Sequence, residues 1–127
     1  SQEAKPSLSV SIRQRIVDIL LHTARSTEPY EIGIFVKELS ESDEKAEEIL
    51  EFIVSLYRDV LLAKTNSDVP FINNDLQSVI YKFASQLTVS TTLLSLNFVC
   101  EQLKAIKSRG NKNLIWYNLL MGLEEVV

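Results

Sequence analysis

The sequence predicts an all-α fold, a single compact bundle of about five to six helices. Three observations lead there. Apolar residues recur at spacings of three and four along most of the chain, and no segment keeps the alternation of a strand. Glycine and proline number three each and the glycines stand singly, so few points interrupt a helix. With 127 residues, 46% hydrophobic and 24% charged, the chain has the make-up of one ordinary globular domain. A chain of this length buries roughly two-thirds of its unfolded surface, so it needs no disulfide or metal to hold together.

Residues 1–7, SQEAKPS, carry no apolar periodicity and read as a flexible tail ahead of a helical domain over 8–127. From Leu8 to about Arg25 a first helix places Ile12, Ile16, Ile19 and Leu20 on one stripe. STEP ends it, and Pro29 suits the first turn of a second helix near Glu28 to Leu39. Its apolar residues are Tyr30, Ile34, Phe35 and Leu39, and Gly33 weakens it. The acidic run SESDEKAEE opens a third helix, about Asp43 to Lys64. Ser40 or Ser42 can cap it, with Asp43, Glu44, Glu47 and Glu48 at the positive end of its dipole. Its broad apolar face holds Ala46, Ile49, Leu50, Ile53, Leu56, Tyr57, Val60 and Leu61. Asn73 or Asn74 then caps a short fourth helix bearing Leu76, Val79, Ile80 and Phe83. A fifth, about Thr91 to Arg109, carries the seam Leu96, Val99, Leu103 and Ile106. Gly110 sits where a left-handed residue would close it, and Asn111 or Asn113 can cap a sixth, LIWYNLLMGLEE.

Little in the chain points to catalysis. No glycine-rich phosphate loop is present, and Cys100 and His22 are the only residues of their kinds, so neither a disulfide nor a His-rich metal site can form within the chain. His22 at a helix end and Cys100 within an apolar helix both suit structural roles. Glu44, Glu47, Glu48 and Glu51 read as a helix start and a solvated face, since no Glu-x-x-His pattern accompanies them. Only a deep pocket where Glu47 and Glu51 met further carboxylates would revive an enzyme. The net charge of −4 disfavours broad attraction to nucleic acid or anionic membrane. Lys104, Lys107, Arg109 and Lys112 form one local basic cluster, which complements a helix C-terminus. No apolar run reaches transmembrane length.

One feature of the third helix does more than fill a core. Arg58 points away from the apolar face, over Glu47 and Glu51, yet its neighbours four residues either side are Val54 and Leu62. A surface pair with Glu47 or Glu51 would be worth little. Alternatively Val54, Arg58 and Leu62 form a second contact strip, with the guanidinium fork fixing register against another helix or subunit. Spacing supports both readings equally. Asp59 sits at the margin of the apolar face, and INND after it reads as cap chemistry.

The ordered set LYRDVLLAK (56–64), INND (72–75) and NKNLIWYNLL (111–120) resembles the C-terminal domain of bacterial DNA polymerase III delta-prime subunits. The match runs through Tyr57, Arg58, Asp59, Leu61, Leu62 and Lys64, then Asn73, Asn74 and Asp75, then Asn111 and Asn113, and covers about residues 8–127. It departs in the last helix, where the family often continues with LALE. Collar domains of the delta and tau/gamma subunits of the same complex therefore stay open, as does a helical peptide-binding adaptor unrelated to replication.

The resemblance implies a non-catalytic scaffold with no cofactor. In clamp loaders such domains pack side by side into a collar that holds ATP-using modules of the same chains, which place the sliding clamp on primed DNA. Partners would be delta and tau/gamma through their C-terminal helical domains. DNA and the clamp would be reached only through the parent complex, a DNA-directed DNA polymerase of the bacterial cytoplasm, with no membrane. The start at Ser-Gln-Glu would then reflect absence of the upstream AAA+ type modules from this chain. Arg58 and Asp59 are expected to lock the long helix to a neighbouring loop or helix end, such as that bearing Asn111 and Asn113.

Overall fold

The computed structural model describes residues 8–25, 28–109 and 111–126. Six α-helices follow one another: α1 Val10–Arg25, α2 Pro29–Ser40, α3 Ala46–Lys64, α4 Gln77–Gln86, α5 Val89–Arg109 and α6 Lys112–Val126. A short 3-10 turn, Asn74–Leu76, leads into α4, and no strand occurs among the described residues. The expected all-α bundle is the fold.

Helix α3 is its centre, packed most extensively on α5 and next on α4, while α6 lies chiefly against α2 and α5. The predicted face of α3 is buried from Ala46 to Val60, joined by Phe52, with Leu61 half-buried. Opposite it α5 presents Thr92, Ser95 and Val99, all buried, whereas Leu96, Leu103 and Ile106 are only half-buried. The tightest contact thus uses small residues, which let two helix axes come close. Trp116, Leu119 and Leu120 of α6 close the core with Ile80 and Phe83 of α4. Gly122 is needed here for space, because a Cβ would fall 2.2 Å from the Phe98 ring of α5.

The second helix buries a different stripe from the expected one. Ile32 and Leu39 are buried and Phe35 and Val36 half-buried, while Tyr30 and Ile34 stand 68% and 57% exposed. Tyr30 and Ile34 each lie about 160° around the helix from Ile32, so the two sets cannot share a face. Ile32, Phe35, Val36 and Leu39 have the i, i+3, i+4, i+7 spacing and win.

Helix ends also depart from expectation. Pro29 takes its place in the first turn of α2, and the Glu28 N–H donates to Glu31 Oε1 at 2.9 Å. Neither Ser40 nor Ser42 caps α3: Ser40 ends α2, Ser42 Oγ accepts from the Glu44 N–H at 3.1 Å, and the residue before α3 is Lys45, with no side-chain cap. Asn73 and Asn74 give no side-chain cap to the turn before α4. Asn111, not Asn113, caps α6, accepting from the Leu114 N–H at 3.0 Å. Helix α5 begins two residues early because Thr88 and Thr91 cap reciprocally, each backbone N–H meeting the other hydroxyl at 2.9–3.0 Å. The chain turns by 115° between α4 and α5, around the buried Leu87. Residues 1–7 and Gly110, expected as a tail and a helix stop, lie outside the described residues.

Candidate functional site

The polar residues of the third-helix and INND segments converge on one internal network. Asp59 is wholly buried. Its Oδ1 accepts the Ile72 N–H at 2.8 Å, and its Oδ2 accepts the Asn73 N–H at 2.8 Å and the Asn73 side-chain amide at 2.9 Å. That amide also donates to Ser55 Oγ at 3.0 Å, one turn earlier on α3. A buried carboxylate is tolerated only when its lone pairs are met, and here three donors meet them. Asp59 therefore does lock α3 to a neighbouring loop, but the loop is 72–73 and not the segment bearing Asn111 and Asn113.

The flanking residues act likewise. Tyr57 is buried edge-on to Phe83, with ring centroids 5.7 Å apart, and its hydroxyl bonds to Ser95. Burial pushes its ionisation up. Lys64 Nζ donates to the Ala84 carbonyl at 2.9 Å, neutralising the C-terminal end of α4. Asp75 takes a two-pronged ion pair from Arg13 of α1, one arm at 3.0 Å. That hydrogen-bonded guanidinium holds the Asp75 carboxyl below its usual range.

Sequence reasoning misses Arg13, although a signal for it exists. It lies on the same stripe as Ile16 and Val17, and a charged residue on a buried stripe calls for a partner.

What remains outside this network is a surface. Arg58 is exposed and, among the described residues, makes no ion pair with Glu47 or Glu51. Val54 and Leu62 beside it are half-buried, and Asn74 and Asn113 are exposed. An open groove of about 690 Å³ runs between α2 and the start of α6, lined by Gly33, Lys37, Asn111, Asn113, Leu114 and Tyr117 among others. A Cβ on Gly33 would meet nothing within 4 Å, so no internal packing requires that glycine.

The other candidates have structural settings. His22 Nε2 lies 2.9 Å from Glu31 Oε2 and its ring meets Phe35 edge-on. The Glu28 backbone amide, ahead of His22, holds the Glu31 carboxyl low. Cys100 is half-buried. Lys104 and Lys107 are exposed and Lys112 half-buried, and the Arg109 side chain is outside the described set. Among the described residues no three His, Cys, Asp or Glu side chains are placed to hold a metal, and no single helix is long and apolar enough to cross a membrane.

The comparison with known families names the delta subunit, where the sequence signature resembles delta-prime. Residues 10–125 match the family model described as DNA polymerase III, delta subunit, C terminal. Neither a curated protein nor a solved structure gives a match. Since the match spans nearly the whole helical domain, the chain belongs to the family of DNA polymerase III delta C-terminal regions and is the C-terminal domain of a clamp-loader protein.

Proposed function

We propose that this domain is the collar element of a delta-prime subunit, a non-catalytic scaffold that joins delta and tau/gamma through their own C-terminal helical domains. One observation carries the reading. Seven large apolar side chains stay 40–68% exposed on helices whose inner faces are already filled: Tyr30 and Ile34 on α2, Leu114 and Tyr117 on α6, and Val89, Leu93 and Leu94 on α5. Contiguous exposed apolar patches on a small soluble domain mark surfaces that meet other proteins, and a collar member has two neighbours.

The strip Val54, Arg58 and Leu62 would then fix register. Arg58 is exposed and, among the described residues, makes no ion pair, as suits a fork that pairs across an interface. In the α2–α6 groove, Gly33 leaves room for a close backbone approach. The ATP-using modules would precede this domain in the full polypeptide, DNA and the clamp would be reached through the parent complex, and the assembly would work in the bacterial cytoplasm without a cofactor held here.

The test is reconstitution of the full-length protein with purified delta and tau/gamma, scored by size-exclusion chromatography. Leu114→Asp, Leu93→Asp and Arg58→Ala are expected to weaken assembly without altering the circular dichroism spectrum. Assembly untouched by all three overturns the proposal. If the chain fills the delta or a tau/gamma position instead, the delta-prime assignment fails while the collar role stands. The groove also suits a peptide, and an adaptor of that kind would bind neither partner.

A further inference from the structure

Helix α2 meets α1 along a seam unlike those that hold the rest of the bundle. Arg15 donates two guanidinium bonds of 2.7 Å to Glu38, and His22 Nε2 lies 2.9 Å from Glu31 Oε2. Arg15 and His22 are two turns apart on α1, as are Glu31 and Glu38 on α2, and the two pairs match in antiparallel order. Phe35 stands between them, with the Arg15 guanidinium 5.9 Å from its ring centre and the His22 ring edge-on at 5.4 Å. The seam is wet, for its four polar side chains are 25–50% exposed.

Apolar anchorage of α2 is thin. Of its twelve residues only Ile32 and Leu39 are buried, against nine of nineteen on α3. Among the described residues its backbone packs extensively on α6 alone. Gly33 lowers its helix propensity without serving an internal contact. Segments with few buried apolar contacts and water-exposed bonds are the ones that open locally.

We infer that α2 is a latch: it lifts from α1 and α6 as one unit while α3, α4 and α5 stay packed, and the charged seam with α1 sets how often. Twelve residues are too few to hold a helix in water once the docking face is lost, so lifting melts it. Glu31 links the two events, since its other oxygen accepts the Glu28 N–H at the helix start. Lifting adds Ile32 and Leu39 to the apolar surface that Tyr30 and Ile34 already expose. Ionic strength is the lever, because salt screens a wet ion pair. This opening is a property of the chain's own packing and needs no collar partner.

Hydrogen exchange of the full-length protein, read by mass spectrometry on peptides from α2 and α3, tests the latch under conditions where rates track the opening equilibrium. The α2 amides are expected to be at least roughly tenfold less protected than those of α3. Tyr57→Phe weakens α3 against α4 and α5, contacts that survive the lifting. It should speed α3 exchange about fivefold and leave α2 exchange as it was. Arg15→Ala should speed α2 exchange about fivefold, the upper range for a surface ion pair. Sodium chloride at about 1 M should do the same to the wild type and add little to that variant. A smaller gap between α2 and α3, or α2 exchange that rises with Tyr57→Phe, means that α2 opens only with the whole fold and overturns the inference. An α2 rate indifferent to Arg15→Ala or to salt overturns it too.

Discussion

Asp59 offers the sharpest test of how this domain is held together. Asp59→Ala removes the acceptor for the Ile72 and Asn73 backbone amides and for the Asn73 side chain. A buried donor stripped of its partner costs about 1–3 kcal/mol. The Asn73 side chain keeps Ser55 as a partner, and Ile72 is open enough for water to reach its amide. Asn73 is buried, so its backbone N–H has neither relief. Adding the lost charge-assisted bonds to that one stranded amide gives about 3 kcal/mol, a large share of the roughly 5–15 kcal/mol that holds a domain folded. Asp59→Asn keeps one acceptor oxygen but aims an amide at another donor, so about half that loss is expected. Arg58→Ala, one residue away on the exposed face, should stay within about 0.5 kcal/mol. Urea denaturation followed by circular dichroism, with equal slopes across the set, gives all three values. An Asp59→Ala loss under about 1 kcal/mol, or one matched by Arg58→Ala, would refute the network as a structural lock.

Other outcomes follow from the same contacts. The Arg13 pairing depresses the Asp75 carboxyl below its ordinary 3.8, so its stabilisation is complete above that value and vanishes as pH falls through the lower folded value. Asp75→Asn should therefore lower the urea midpoint at neutral pH, with the gap to wild type closing below about pH 4. The two helical glycines should respond with opposite signs. Gly33→Ala meets open space and should gain about 0.5–1 kcal/mol, whereas Gly122→Ala drives a Cβ into the Phe98 ring and should lose about 1 kcal/mol net. Thermal melts of the two variants decide it. Tyr57→Phe keeps the ring against Phe83 but gives up the Ser95 bond, and should cost about 1 kcal/mol by the same denaturation assay.

Periodicity makes much of this fold legible. On α3 nearly every buried apolar position can be read from the turn of about 100° per residue, because the stripe is long and unbroken. On α2 the same rule misplaces the face. Tyr30 and Ile34 attract notice as large apolar residues, yet their side of the helix faces outward while Ile32, Phe35, Val36 and Leu39 take the inner side. Asp59 and Arg58 show how a single residue step separates a buried hydrogen-bonded carboxylate from an exposed guanidinium, and spacing puts them on different sides. The partner of Asp59 is harder to read, because cap chemistry and side-chain pairing call for the same residue types. Asn73 looks like a cap and serves as a bridge. The Arg13–Asp75 pair spans 62 positions and leaves no local trace beyond an arginine on an apolar stripe. Thr88 escapes notice as a cap because no glutamate follows it, and Thr91 supplies the reciprocal bond instead.

The bend of 115° at Leu87 and Thr88 has a mechanical meaning. With its inner residue sunk in the core and its outer threonines clasped to each other, the corner works as a stiff bracket. Lys64 braces one arm from within. The corner therefore sets the angle between the helix carrying Leu93 and Leu94 and the helix carrying Tyr81, so the two faces cannot be re-aimed independently without breaking those contacts.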